Sequence, residues 1–137
     1  MRFDTTFELD VRPAPKAQPR ACNRGGRLFV YTPKTTAGAI KRIALLSRKY
    51  APPVTLSGPV AVELSFRYAI PKSRKELIPG DFVNQRPDVD NLVKTVLDAL
   101  TKAKTFWEDD AQVVVIRAEK VYAYFDSVRV RIVELKR

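Results

Sequence analysis

Between Asp88 and Asp110 the chain carries six acids, Asp88, Asp90, Asp98, Glu108, Asp109 and Asp110, and the run Arg86-Pro-Asp-Val-Asp-Asn-Leu-Val-Lys opens that stretch. Pro87 favours an extended Arg86, and if the following residues also run extended, Asp88 and Asp90 share one side with Val89 opposite. Two carboxylates in one place repel unless a proton or cation lies between them. Hard Mg²⁺ or Mn²⁺ suits such oxygen ligands and keeps waters for chemistry. The competing use is structural: Asp90 or Asn91 caps a helix and Asp88 sits in solvent.

Glu108-Asp109-Asp110 lies one helix later and can face the first pair only if packing turns it there. Lys94 stands four residues after Asp90 and four before Asp98. It reads either as an intrahelical ion pair worth a few tenths of a kcal/mol or as a cation stabilising charge on a bound phosphate. Asp98 reads as solvated or hydrogen-bonded, and Phe106 and Trp107 as core or dimer-contact residues rather than stacking platforms.

Composition narrows the chemistry further. Histidine is absent and Cys22 is the single cysteine, which excludes internal disulfides, thiolate or imidazole zinc sites and Ser-His or Cys-His nucleophiles. Against 15 acids stand 25 lysines and arginines, a net charge of +10 over 137 residues. From Val11 to Val62 there are ten basic residues and no acidic one. A one-sign surface of that size attracts a polyanion, of which nucleic acid is the usual one, the alternative being charge kept for solubility. The candidate contacts are Arg12, Lys16, Arg20, Arg24 and Arg27, with Lys72, Arg74, Lys75 and Arg86 from a second basic loop. No apolar run reaches the length of a membrane span and no signal peptide is evident, so a soluble, cytoplasmic protein is expected.

These residues need a scaffold, and the hydropathy pattern predicts one. Phe3, Thr5, Phe7, Leu9 and Val11 alternate with polar residues, which predicts a strand over about 2–11. Residues 12–27, with Pro13, Pro15, Pro19, Gly25 and Gly26, read as a basic loop through which no element propagates. Leu28 to Tyr31 suggests a short strand, followed by a helix over about 36–50 capped by Thr35 or Thr36, with a core face and a basic face. Val60 to Ile70 alternates strictly and is the clearest strand. Asn91 to Ala103 reads as a second helix with a stripe of Leu92, Val93, Val96, Leu97, Leu100 and Ala103. Residues 111–118, holding Val113-Val-Val-Ile116, read as a strand covered on both faces, and a last strand surrounds Val128, Val130 and Ile132. The expectation is a single α+β domain over 1–137, a small mixed sheet with two helices packed on it.

Three stretches, Pro87–Lys94, Leu97–Ala103 and Phe106–Val114, closely resemble the RusA family of Holliday junction resolvases found in prophages and bacteria. The resemblance is strong over these motifs and weak elsewhere, with departures in the Pro-rich segment 12–27. It implies a homodimeric, Mg²⁺- or Mn²⁺-dependent endodeoxyribonuclease that acts in DNA recombination and repair, cutting four-way junctions by paired symmetric hydrolysis. It also implies Asp88, Asp90 and Asp110 as metal ligands and Lys94 as a residue needed for cleavage, with no small-molecule cofactor. The rivals are a non-catalytic basic nucleic-acid-binding protein and a nuclease for other branched DNA.

Overall fold

The structure, a computed structural model, describes residues 2–16, 20–31 and 34–137. Strands β1 (Asp4–Leu9), β4 (Val60–Ala69), β5 (Val113–Ala123) and β6 (Ser127–Glu134) form a sheet in the order β1-β6-β4-β5. β6 runs antiparallel to β1 and β4, and β5 runs parallel to β4. Helices α1 (Lys34–Ser47) and α2 (Val89–Ala103) pack on each other over the sheet, and β2 (Arg20–Arg24) with β3 (Arg27–Tyr31) forms a separate hairpin. This is the expected single α+β unit.

Strict alternation decides which face is covered. In β4, Val60, Val62, Leu64, Phe66 and Tyr68 are buried, while Ala61, Glu63, Ser65 and Arg67 lie on the opposite, partly open face. Val128, Val130 and Ile132 of β6 join the core from the next strand. From α2, Leu92, Val93, Val96, Ala99 and Leu100 close over it. Phe7 stacks on Tyr50 at 4.5 Å and on Phe106 at 5.7 Å, and Phe106 and Trp107 are fully buried. Both therefore belong to the core. On the open face, Arg131 bonds Asp4 and Glu63, and Arg129 pairs with Glu8, so much of its charge is neutralised internally.

Four expectations need correction. Residues 12–27 are not a loop throughout: β2 occupies Arg20–Arg24 and turns into β3 at Gly25-Gly26. Both glycines have positive φ, 59° and 81°, the conformation that a two-residue hairpin turn matching strand twist demands. Thr35 and Thr36 lie inside α1 rather than before it, and Thr36 donates its hydroxyl to the carbonyl of Pro15. At α2 the N-cap is Asp88, not Asp90 or Asn91.

The fourth correction concerns β5, which is an edge strand and runs on to Ala123. Ala111 and Gln112 belong to a 3-10 turn before it. Val114, Val115 and Ile116 are not covered on both faces; they are 58%, 51% and 48% exposed. A four-stranded sheet must end somewhere, and here the run of aliphatics is at the end.

Candidate active site

Asp88 sits at the N-cap of α2 with extended backbone (φ −69°, ψ 142°), and its side chain makes no capping bond. Asp90 falls in the first helical turn, so the two residues flank a helix start rather than lying along an extended strand. Both are exposed, at a helix end whose unpaired N–H groups carry partial positive charge. Lys94 is exposed one turn on and makes no ion pair among the described residues.

Hydrogen bonds from both flanks hold this corner in place. Lys120, from β5, donates its Nζ to the carbonyls of Gln85 at 2.6 Å and Pro87 at 2.9 Å. The peptide Arg86-Pro87 is cis. Residues 80–83 lie antiparallel against the second half of β5, with Val83 N–H donating to Lys120 O at 3.0 Å and Tyr122 N–H to Asp81 O at 2.8 Å. On the helix's other flank, Lys16 N–H donates to Asn91 O at 3.0 Å and Lys16 Nζ pairs with Asp98. Asp98 is thus engaged in an ion pair, as a hydrogen-bonding rather than ligating residue.

The second acidic cluster is a built turn. Asp109 caps the 3-10 turn Asp110–Gln112 by accepting from Ala111 N–H at 2.9 Å. That bond, and a second from the Asp110 carboxyl, hold Asp109 below its ordinary pKa of 3.8. Gln112 works in both directions: its Oε1 accepts from Glu108 and Asp109 N–H, and its Nε2 donates to Leu56 O at 2.8 Å and Gly58 O at 3.0 Å. Asp109 is consumed by structure. Asp110 is left exposed.

The two acidic elements lie at opposite ends of α2. Val113 and Lys120 are seven residues apart on β5, about 23 Å at strand rise, and the 15 residues of α2 span about 22 Å. Asp88 belongs at the Lys120 end and Asp110 at the Val113 end. Consistent with this, no group of three His, Cys, Asp or Glu side chains is assembled to hold a metal among the described residues. The trio Asp88, Asp90 and Asp110 does not fit one ion within one chain.

The basic candidates divide by what they touch. Arg12 pairs with Asp126 at 2.9 Å and lies over the Tyr68 ring, Lys16 anchors α2, and Arg74 pairs with Glu76. Arg27, Lys72, Lys75 and Arg86 are exposed and make no ion pair among the described residues. Arg20 and Arg24 lie on β2, one strand of the basic hairpin, and their side chains are outside the described residues. Lys120 and Gln112 were missed in the sequence. Gln112 had a signal, an Asp three residues before a Gln, which is the capping-box spacing; Lys120 had none.

The described residues thus form a mixed sheet with helices on one face and an acidic helix start beside basic loops. The family model described as Endodeoxyribonuclease RusA matches residues 10–133, and the chain belongs to that family. It is 28% identical over 135 residues to the crossover junction endodeoxyribonuclease rusA of Lactococcus phage r1t, covering 98% of this chain and 100% of that protein. To the uncharacterised protein YqaN of Bacillus subtilis (strain 168) it is 30% identical over 137 residues, covering 94% and 95%. No helix among the described residues is long and apolar enough to cross a membrane.

Proposed function

We propose that this protein is a metal-dependent endonuclease that binds four-way DNA junctions in the cytoplasm and cuts paired strands by phosphodiester hydrolysis, in recombination and repair. Family membership with a full-length match to a phage crossover junction endodeoxyribonuclease carries the reading. The chemistry of the donors agrees with it: Asp88 and Asp90, both exposed at the start of α2 in a chain without histidine, are the oxygen ligands that Mg²⁺ or Mn²⁺ takes. Such an ion would supply an activated water and neutralise phosphate charge. Lys94 would place a positive charge beside the same phosphate, and the hairpin bearing Arg20, Arg24 and Arg27 would grip the backbone with Lys72, Lys75 and Arg86. A homodimer matches the two cuts such a junction requires.

The deciding experiment incubates the protein with labelled four-way junction and matching duplex, with and without Mg²⁺. Paired nicks confined to the junction and requiring the ion are expected, and Asp90→Asn should bind without cutting. Junction binding with no cleavage under any divalent ion would leave a non-catalytic binding protein, and equal cutting of flaps would broaden the substrate to branched DNA in general.

A further inference from the structure

Two features of the open sheet face have no use in folding. The first is a hollow of about 620 Å³ near the turn between β5 and β6, within the roughly 300–1,000 Å³ of clefts that hold small ligands. Phe82, Tyr124 and Phe125 line it and are 75%, 79% and 70% exposed. Tyr124 and Phe125 belong to the turn itself, and Phe82 comes from the short segment that bridges Val121 of β5. The core takes nothing from these rings, and an exposed apolar cluster around a hollow marks a binding surface.

The second feature is Arg67, which lines the same hollow and a shallower one beside it on the sheet. Its Nε is buried and has no hydrogen-bond partner among the described residues. The charges around it are engaged with one another. Arg129 pairs with Glu8, Arg131 bonds Asp4 and Glu63, Glu8 also accepts from Ser127 at 2.7 Å, and Glu119 accepts from Ser65 at 3.1 Å. A buried donor without an acceptor costs free energy that a ligand can restore by supplying one. For a guanidinium the matching acceptor is an oxyanion such as phosphate.

We infer that this hollow takes one unpaired nucleotide of a DNA strand, with its base against Phe82, Tyr124 and Phe125 and its phosphate on Arg67. Aromatic rings hold any base, because every base has a π face, and a cation beside them follows the backbone. A segment of another protein is the rival occupant, but a net charge of +10 and a guanidinium lacking an anion favour the polyanion. Phe82 stands six residues before Asp88, and Lys120 bonds both the Val83 N–H and the Pro87 carbonyl on the way. A nucleotide freed from pairing at a branch point is thus held on the segment that leads into the start of α2. The inference rests on DNA as the partner and not on cleavage.

Binding in EDTA tests it without any cutting. The probes are a fluorescein-labelled 15-mer of thymidylate, an abasic 15-mer with the same phosphates, and a 15-base-pair duplex. The parent should prefer the thymidylate to the abasic strand by at least about tenfold. Phe82→Ala/Tyr124→Ala/Phe125→Ala should remove that preference and leave abasic and duplex affinity within about twofold, since all three side chains are exposed and a parental melting curve is expected. Arg67→Gln should weaken both single strands alike, and Arg67→Lys should recover part of the loss. Equal affinity of the parent for the two single strands would overturn the inference, as would a triple aromatic variant with the parental preference, which would leave the rings to a protein partner. A parent that cuts junctions but does not distinguish the strands sinks the inference and leaves the nuclease reading standing. One that distinguishes them and cuts nothing under any divalent ion does the reverse.

Discussion

Lys120 reaches from β5 to the carbonyl of Pro87, 2.9 Å away, and so couples the edge strand to the residue that precedes Asp88. The same ammonium holds Gln85 O at 2.6 Å. Its methylene stem is available to an apolar replacement, whereas its charge is not. Lys120→Met should fold, lose about 1–2 kcal/mol on losing both bonds, and free the start of α2. The expected reading is a lower denaturation midpoint together with a roughly tenfold weaker affinity for Mg²⁺. A variant with parental stability and parental ion affinity would show that the start of α2 does not depend on Lys120.

In the neighbouring turn, two adjacent aspartates should behave oppositely. Asp109 accepts from Ala111 N–H, while Gln112 bonds four backbone groups. Asp109→Ala should cost about 1 kcal/mol as a lost cap, and Gln112→Ala about 2–4 kcal/mol at roughly 1 per bond. Asp110→Asn should leave thermal stability unchanged and abolish cutting. Equal loss of stability at 109 and 110 would remove the distinction between cap and ligand.

The hairpin invites a test of binding rather than cleavage. Arg20, Arg24 and Arg27 sit on β2 and β3, which pair with each other and, among the described residues, with no other strand. Replacing all three by Ala should weaken junction binding and reduce the slope of log affinity against log salt by about 0.9 for each phosphate that is no longer neutralised. The far-ultraviolet spectrum should barely change. An unchanged slope would place the DNA elsewhere.

What could be read from the sequence follows the physics of each signal. Val60 to Tyr68 alternates because one face of β4 is core and the other is not, and α2 shows its stripe for the same reason. The hairpin was hidden because Gly25-Gly26 resembles any flexible loop when the prolines before it dominate the reading. In Val113-Val-Val-Ile116, hydropathy reports what a strand wants to bury and not whether this chain buries it. The acidic motifs were visible as residue types. Their distance apart was not, because a helix written between two motifs carries them to opposite ends of itself.

Acid should unfold this protein along a definite limb. Glu8 is held below its ordinary pKa of 4.5 chiefly by the Ser127 hydroxyl at 2.7 Å, with burial opposing and Arg129 and Arg67 assisting. Asp4 is likewise held low, first by its hydrogen bonds from Arg131. Folded pKa values below the unfolded ones mean that the unfolded chain binds more protons in this range. This stabilisation is therefore complete above the unfolded values and lost as pH falls through the folded ones. The melting temperature should fall as pH drops below about 4.5, and Glu8→Gln should flatten the upper part of that limb. An acid limb identical in Glu8→Gln would reassign it to other carboxylates.

Lys94 separates a surface charge from a working one. Its neighbours in the helix row, Asp90 and Asp98, do not pair with it: Asp98 is taken by Lys16, and Asp90, in the first turn of α2, makes no ion pair among the described residues. An exposed lysine without an ion pair among the described residues contributes little to folding, so Lys94→Met should shift stability by less than about 1 kcal/mol. Beside a phosphate held at the α2 start, the same ammonium would oppose charge growing on the phosphoryl oxygens, where such a donor acts without screening by bulk water. The variant should bind junction DNA with the affinity of the parent, yet cut at least about a hundredfold more slowly at saturating Mg²⁺, a loss of about 2.7 kcal/mol. Single-turnover cleavage measures this without interference from product release. A rate within about threefold of the parent would return Lys94 to the helix surface and leave the carboxylates to act alone.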